Sequence, residues 1–422
     1  MIEALANAFR IPDLRKKILF TLGIIAVYRV GAHIPVPGVD PAAIKEVVQS
    51  GAALDLLNLF AGGALENFAI FALGIMPYIT ASIIMQLLQA VIPTLEQWAK
   101  EGEAGQRRIT QVTRYLTLGI GFLESIGLLS IFQADVSQGG IGVRFDWLTR
   151  IVIIISLLAG TAFIMWLGEL ITQRGIGNGM SLLIFANIVA RFPVTIVNAM
   201  QLNEWYLTAF LLIVFVFVIA AVVFMERGQR RIPVQYAKRV VGRKVYGGSG
   251  TYIPLKVNGA NVIPIIFASS VLIFPATIAR FFPTVKWLAS FGTALSQGWL
   301  NIALYVVLIV FFTYFYTALV FNPIELADNL RKNGGFIPGV RPGKQTAQYI
   351  ENVLNRITLP GALFLAAIAV GPQLVFQFQS TASPLLRVFG GTSLLIMVGV
   401  ALETMTQLES QLRMRHYDGF FK

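Results

Sequence analysis

The chain has 422 residues, of which 56% are hydrophobic and only 13% are charged, and its mean hydropathy is +0.71. A soluble globular domain carries roughly 25% charged residues, so this composition leaves too little polar material to cover a water-exposed surface. The composition therefore excludes a soluble protein and indicates a membrane protein. In such a protein a net charge of +12 is first a topology signal, and a nucleic-acid partner does not follow from it.

Apolar stretches recur along the whole chain, each close to the roughly 20 residues that cross a hydrocarbon core as a helix. Residues 1–17 precede them as a cytoplasmic segment, in which residues 2–14 are predicted to form an amphipathic helix on the membrane surface. The ten predicted spans are 18–35, 69–92, 110–133, 149–171, 179–200, 206–225, 260–282, 301–322, 353–371 and 389–409. The sequence predicts an all-α polytopic membrane protein, because only a helix satisfies each spanning segment's backbone amides internally.

Lysine and arginine are distributed very unevenly between the segments that connect the spans. With a cytoplasmic N-terminus, 23 of the 33 basic residues lie in cytoplasmic segments, four lie in outside loops, and the rest lie in or beside spans. Cytoplasmic loops of membrane proteins carry this excess of positive charge. Both termini, including the C-terminal tail 410–422, are therefore predicted to be cytoplasmic.

Two of the cytoplasmic loops, 226–259 and 323–352, are longer than a simple connection requires. The first alternates basic residues with β-branched and aromatic residues around a Gly-Gly-Ser-Gly stretch, which predicts a hairpin that protrudes into the cytosol. Long loops that keep specific chemistry are candidates for partner contact. From composition alone, an anchoring role for the positive charge remains the alternative.

Residues that support catalysis or metal binding are scarce. The chain has no cysteine, and its two histidines, His33 and His416, lie near opposite ends of the sequence, so neither a metal site nor a cofactor is expected. The stretch 334–346 resembles a phosphate-binding loop, but Gln345 follows Gly343-Lys344 and the first glycine of the pattern is missing. No catalytic constellation is found, and the chain is predicted not to be an enzyme.

Carboxylates inside the predicted spans are few. Glu124 lies well inside the third span, whereas Glu169 and Glu403 lie nearer to span ends. An ionisable group at this depth is a candidate functional residue, although it can equally lie in a water-filled cavity or pair with an arginine such as Arg29. A secondary transporter for small solutes is the alternative function, but it would need convergent polar groups near mid-depth.

The segment 55–93 is too long for one span and carries Gly62-Gly63 in its first third. Because paired glycines weaken a helix, we predict a half-length helix at 55–67, followed by a full span from residue 69. A half-length helix cannot cross the bilayer, so it lies on the outer surface or folds back into a cavity of the protein. Pro77 is expected to loosen the helix that follows.

Seven long motifs, which together cover nearly the whole chain, resemble those of the SecY family in sequence and in order. Members of this family form the central subunit of the bacterial protein-translocation channel. The motifs are FALGIMPYITASIIMQLL (71–88), EGEAGQRRITQVTRY (101–115), LGELITQRGIGNGMSLLIFA (167–186), ERGQRRIPVQYAKR (226–239), VIPIIFASSVLIFPATIA (262–279), ADNLRKNGGFIPGVRPGKQT (327–346) and GGTSLLIMVGV (390–400).

The resemblance implies ten helices in two pseudo-symmetric halves, 18–200 and 206–409, around an hourglass-shaped pore. It implies a ring of six apolar residues at the constriction, of which Met180 departs from the branched aliphatic residue usual in the family. It also implies that the half-helix 55–67 is the plug that blocks the pore at rest. The ring positions are Ile75, Ile79, Met180, Ile184, Ile266 and Ile396, and the plug positions are Leu57, Phe60, Gly62, Gly63 and Leu65.

The resemblance further implies a lateral gate between the second and seventh spans, which are interrupted by Pro77 and by Pro264 and Pro275. Through this gate signal sequences would reach the lipid of the bacterial inner membrane. The partners it implies are SecE and SecG, together with SecA or a translating ribosome on the cytoplasmic loops. Polar residues expected near the gate are Ser82, Gln86, Asn258 and Asn261, and basic residues expected to contact SecA or the ribosome are Arg243, Lys244 and Arg341.

Overall fold

The computed structural model describes residues 9, 11–39, 58, 61–133, 146–201, 205–236, 239–241, 244–246, 251–281, 290, 292, 294–295, 298–378 and 390–418. Twelve helices of eight or more residues lie in this part of the chain. They are α1 Pro12–Gly31, α2 Met76–Val91, α3 Pro93–Lys100, α4 Glu103–Gln133, α5 Trp147–Arg174, α6 Gly179–Gln201, α7 Trp205–Arg227, α8 Ile263–Phe281, α9 Trp299–Val320, α10 Pro323–Lys332, α11 Lys344–Phe378 and α12 Gly391–Asp418. Five strands accompany them: β1 Gln229–Tyr236, β2 Arg239–Val241, β3 Lys244–Tyr246, β4 Thr251–Lys256 and β5 Gly335–Phe336.

Ten of these helices correspond to the ten predicted spans, and the short helices α3 and α10 lie between them. Among the described residues, five helical segments are long and apolar enough to cross a membrane, and a sixth is added if α2 and α3, which meet at a bend of 101°, count as one span. The five are Glu103–Ser130, Trp147–Arg174, Trp299–Lys332, Lys344–Pro372 and Gly391–Arg413. The chain is thus an all-α polytopic membrane protein.

Two predicted boundaries in the first half are wrong. The first long helix begins at Pro12 and not at residue 18, so residues 12–14 belong to α1; residues 2–8 and 10 of the predicted surface helix lie outside the described part of the chain. Helix α2 begins at Met76 and not at residue 69, because Pro77 occupies its first turn, where the missing amide is tolerated. Pro77 therefore starts this helix and does not loosen it.

The two halves of the chain have the same order of neighbours. In the first half α2 packs against α4, α4 against α5, and α5 against α6. In the second half α8 packs against α9, α9 against α11, and α11 against α12, in the same sequence. This repetition is the two-fold arrangement that the resemblance implies. The halves meet along two seams, one where α2 and α4 face α8, and one where α6 faces α7 and α12.

The predicted hairpin in the loop 226–259 is confirmed. Strand β1 pairs antiparallel with β4, with Ile232 opposite Ile253, and β2 pairs antiparallel with β3 further along the loop. The second long loop contributes to the same sheet, because β5 pairs with the end of β1. The two loops thus form one folded unit, which we call the loop unit (β1–β5, α10 and the first turns of α11).

The loop unit has its own small apolar core. It lies between the β1–β4 ribbon and helices α10 and α11, and its buried members are Ile232, Val234, Leu255, Leu330, Ile337, Ile350 and Leu354. The ninth predicted span began at residue 353, but α11 begins nine residues earlier, because Ile350 is needed in this core. Side chains from the strands and from the two helices therefore share one apolar core within these basic loops.

We expect Leu255→Ala to destabilise the loop unit by about 2–5 kcal/mol, since it removes a fully buried side chain from a small core. Hydrogen exchange of the β1 and β4 amides would measure the loss directly. Ile324→Ala, on the exposed face of α10, is the matched control and should change exchange little. Equal protection in both variants would show that the loops do not fold as a unit.

Candidate functional site

The six apolar residues predicted to form a constriction all lie in one buried cluster between the two halves. Ile75 and Ile79 are at the start of α2, Met180 and Ile184 are in the first turns of α6, Ile266 is in α8 and Ile396 is in α12. Each side chain is at most 8% exposed. The described structure therefore buries all six in the main apolar core of the protein.

The four helices that contribute these residues are connected by direct packing. Helix α2 contacts α8, α8 contacts α12, and α12 contacts α6. Between α6 and α2 the connection is made by residues 61–75, which we call the capping segment. Gly62 of this segment lies against Asn187 of α6, and the segment leads directly into α2 at Met76. Two helices from each half, together with the capping segment, thus carry the six residues.

Met180, the residue that departs from the family pattern, packs against α5. Its thioether lies directly over Gly168, where no side chain on α5 stands in its way. Met180 and Ile184 are four residues apart and so share one face of α6. A thioether has three rotatable bonds and adapts to an irregular gap, which suits this position next to a neighbouring backbone.

The capping segment includes the described part of the predicted plug, and its form differs from the prediction. Residues 61–67 form successive turns and not a helix, although Asn58 is helical; Leu57 and Phe60 lie outside the described residues. The turns follow from Gly62 and Gly63, whose φ angles of +65° and +90° are left-handed and end a helix. Leu65 is buried in the same cluster as the six constriction residues.

Apolar and backbone contacts fix the second part of the capping segment against the first half. The Phe71 ring stacks on Tyr28 of α1 with ring centroids 5.5 Å apart, and it also stacks on Phe163 of α5. Val36 N donates to Phe68 O at 2.9 Å, and Ile70 N donates to Ile34 O at 3.0 Å. These contacts attach the second part of the capping segment to the end of α1 and to the residues that follow it.

The first part of the capping segment has polar contacts in addition to its buried apolar side chains. Arg29 Nη1 donates to Gly62 O at 2.9 Å, and Arg191 Nη2 lies 2.8 Å from Glu66 Oε1. Phe68 adopts φ +42°, which is unfavourable for a residue with a Cβ and costs of order 1–3 kcal/mol. Neither Glu66 nor Arg191 was predicted from the sequence as a site residue. The available signal was an arginine within the fifth span, since such residues rarely occur there without a partner.

The four polar residues predicted near the lateral gate separate into two pairs. On α2, Gln86 Nε2 donates to Ser82 Oγ at 3.3 Å. Before α8, Asn258 Nδ2 donates to Glu226 Oε1 at 2.6 Å and to Asn261 O at 2.9 Å. Asn258 is thus tied to the end of α7, and the structure joins it to neither Ser82 nor Gln86.

A cavity of about 250 Å³ lies beside the second of these pairs. Its lining includes Glu226, Lys256 and Asn261 together with Glu403 of α12. Glu403 therefore lies beside the loop unit, on the same cavity as Lys256. Among the described residues, no group of three or more histidine, cysteine, aspartate or glutamate side chains could hold a metal ion.

The remaining carboxylates in the spans lie apart from one another. Glu169 of α5 forms an ion pair with Arg114 of α4, in which Arg114 Nε lies 2.7 Å from Glu169 Oε1. Glu124 is half-buried in α4, and Arg29, the partner considered for it, instead donates to the Gly62 carbonyl. Nothing in the described structure gives Glu124 a role.

The basic residues predicted to contact partners lie on the loop unit. Arg341 is exposed in a turn between Gly339 and Gly343, and its carbonyl accepts a hydrogen bond from Thr346 Oγ1 at 2.9 Å. Lys244 is the first residue of β3, at the distal hairpin, and Arg243 lies outside the described residues. Because β5 pairs with β1, the Arg341 turn and the hairpin belong to one folded surface.

The sequence model of the SecY family matches residues 69–405, which is most of the chain. The chain belongs to the SecY family. The protein translocase subunits SecY of Streptomyces coelicolor and Mycobacterium tuberculosis are similar to it, with 50% identity over 440 residues and 46% identity over 445 residues. Both alignments cover 100% of this chain and 100% of the relative.

Solved structures confirm the SecY-family fold. A structure described as that of a protein-conducting channel superposes with a TM-score of 0.66 at 18% identity, covering 93% of this chain and 91% of the other. Sec61 from the canine ribosome–channel complex of the endoplasmic reticulum gives a TM-score of 0.63 at 16% identity, with the same coverage. At these identities the structural similarity shows the fold alone, and the family membership rests on the sequence comparisons.

Proposed function

We propose that the chain forms the protein-conducting pore of a translocase, through which unfolded polypeptides cross a membrane. One observation carries the proposal: in a member of the SecY family, six apolar side chains from helices of both halves are all buried in the main apolar core. An apolar constriction excludes water and ions by dewetting and needs no charged gate. It also makes no directional bonds, so it closes around a polypeptide of any sequence.

The seam between α2 and α8 is the proposed lateral gate. These helices come from different halves and are in contact, so their separation would open a path from the pore to lipid. The Gln86–Ser82 hydrogen bond stays within α2 and would not resist that separation. Signal sequences and membrane segments would leave by this route, since their apolar side chains are more stable in lipid than in an aqueous pore.

The loop unit is the proposed docking surface for the component that supplies force. Its charges and its own core make it a rigid basic surface, which suits a motor such as SecA or the phosphates of ribosomal RNA. Translocase relatives are called subunits, which supports further membrane partners, SecE and SecG. The excess of basic residues in the loop unit and in the other segments predicted to be cytoplasmic supports a bacterial inner-membrane protein with both termini in the cytoplasm.

Site-specific crosslinking tests the pore directly, and the absence of cysteine gives a clean background. Single cysteines at Ile79 and Ile266 would be reconstituted with the partner subunits, and a secretory chain carrying one cysteine would be stalled during transport. We expect disulfides to form at both positions upon oxidation, because both side chains lie in the constriction. Absence of crosslinks at both, in a preparation that translocates, would refute the pore assignment.

The control position for this experiment must face lipid. Phe215 of α7 is the first candidate by sequence, but its ring packs against Phe192 of α6 with centroids 5.0 Å apart. Phe217, two residues further along, is 75% exposed and is the better control. A cysteine there should give no crosslink to the stalled chain.

A further inference from the structure

Two arginines from different helices hold the first part of the capping segment. Arg29 of α1 donates to Gly62 O, and Arg191 of α6 pairs with Glu66. The Arg191 and Glu66 side chains are only 17% and 22% exposed. Arg191 is more than half-way along its helix, and Arg29 is nearer the end of its own, so both lie away from the basic end of the molecule. Charged groups at such positions in spanning helices face the protein interior and mark functional sites.

These contacts hold the capping segment in a strained backbone conformation. The segment bends through left-handed residues at Gly62, Gly63 and Phe68, and the last of these carries a side chain that disfavours the bend. Asn58 also participates, because its side-chain oxygen accepts a hydrogen bond from Glu66 N at 3.3 Å. A strained segment persists only where its surroundings hold it, so loss of the polar contacts should release this part first.

We propose that Glu66 and Arg191, assisted by Arg29, form a polar latch that keeps the capping segment over the constriction and thereby sets how readily an entering polypeptide opens the pore. The proposal rests on the pore function proposed above. Glu66 lies on the movable segment, and Arg191 lies on α6, which also carries Met180 and Ile184. Breaking the ion pair would shift the equilibrium from the closed to the open arrangement without altering the constriction itself.

Neutral variants test the latch. We expect Glu66→Gln and Arg191→Gln each to raise ion leak through substrate-free channels in proteoliposomes by about tenfold, the lower end of what one hydrogen bond to a charged group contributes. The double variant should leak no more than the single variants, because the two side chains act through one contact. The same variants should export a precursor with a weakened signal sequence more readily than wild type.

Two further variants separate the latch from a general loss of structure. Arg191→Lys keeps the charge but not the planar donor geometry, so its leak should lie between wild type and Arg191→Gln. Glu169→Gln breaks an ion pair of comparable type between α4 and α5, away from the capping segment, and should leave leak unchanged. Hydrogen exchange of residues 61–68 should increase in Glu66→Gln and stay the same in Glu169→Gln.

The outcomes are distinguishable from a failure of the pore assignment. If Glu66→Gln and Arg191→Gln transport a normal precursor but leak no more than wild type, the latch is refuted and the pore stands. Additive leak in the double variant would also refute it, since the two residues would then act independently. If the pore itself is misassigned, the single-cysteine channels Ile79→Cys and Ile266→Cys, with the latch intact, fail the crosslinking test, whatever the latch variants do.

Discussion

Channels in which Ile79 and Ile266 are both replaced by asparagine will conduct ions at rest. The two residues come from α2 and α8, on opposite sides of the seam between the halves, and both are buried in the constriction. Burial of an isoleucine side chain contributes ~1.5–3 kcal/mol of stability. The paired change therefore lowers the stability of the dry pore relative to the hydrated pore by at least ~3 kcal/mol. That corresponds to a roughly 100-fold rise in the ratio of hydrated to dry pores.

Conductance of single channels in planar bilayers, without any substrate, measures this ratio. Ile79→Leu with Ile266→Leu is the matched control, because it keeps the apolar volume and should keep the seal. Phe217→Leu, on the exposed face of α7, controls for changes at the lipid surface. If the asparagine channels stay closed, the constriction is not the ion barrier, and the capping segment alone would have to provide it.

The spans could be predicted from sequence because each is a local feature. An apolar run of about 20 residues has one stable form in lipid, whatever its neighbours are. The errors occur where local rules compete. At Pro77, the apolar run continues upstream to residue 69, but the chain turns before Met76 to seat Phe71 against α1. At the start of α11, Ile350 extends the helix because a neighbouring loop supplies a core for it.

The constriction could be predicted only through family resemblance. By itself each isoleucine is indistinguishable from an ordinary lipid-facing residue, since its role depends on which helices meet. The same limit applies to the lateral gate residues: Asn258 was assigned by position, and its hydrogen bond joins it to Glu226, a residue at the end of α7 that is 32 positions away in the sequence. Glu66 and Arg191 are separated by 125 residues, so no periodicity in the sequence connects them.

Reversal of charge at Arg341 should nearly abolish driven translocation while leaving the closed channel intact. Arg341 is exposed on a turn of the loop unit, next to the β5–β1 pairing and far from the constriction, so Arg341→Glu removes no buried contact. An arginine guanidinium can donate two parallel hydrogen bonds to one carboxylate or phosphate group, whereas a glutamate at the same position repels that group. We expect affinity for SecA or the ribosome to fall by at least about tenfold, measured by surface binding at physiological salt.

The controls for this prediction separate a specific contact from a general charge effect. Lys332→Glu places the same charge change at the exposed end of α10 in the same folded unit, and it should weaken binding only slightly at physiological salt. Ion leak should remain at the wild-type level in both variants, because neither touches the capping segment. If Lys332→Glu and Arg341→Glu weaken binding equally, the loop unit attracts its partner through net charge alone. A larger effect of Arg341 would mean that the turn held between Gly339 and Gly343 presents one guanidinium to a defined site.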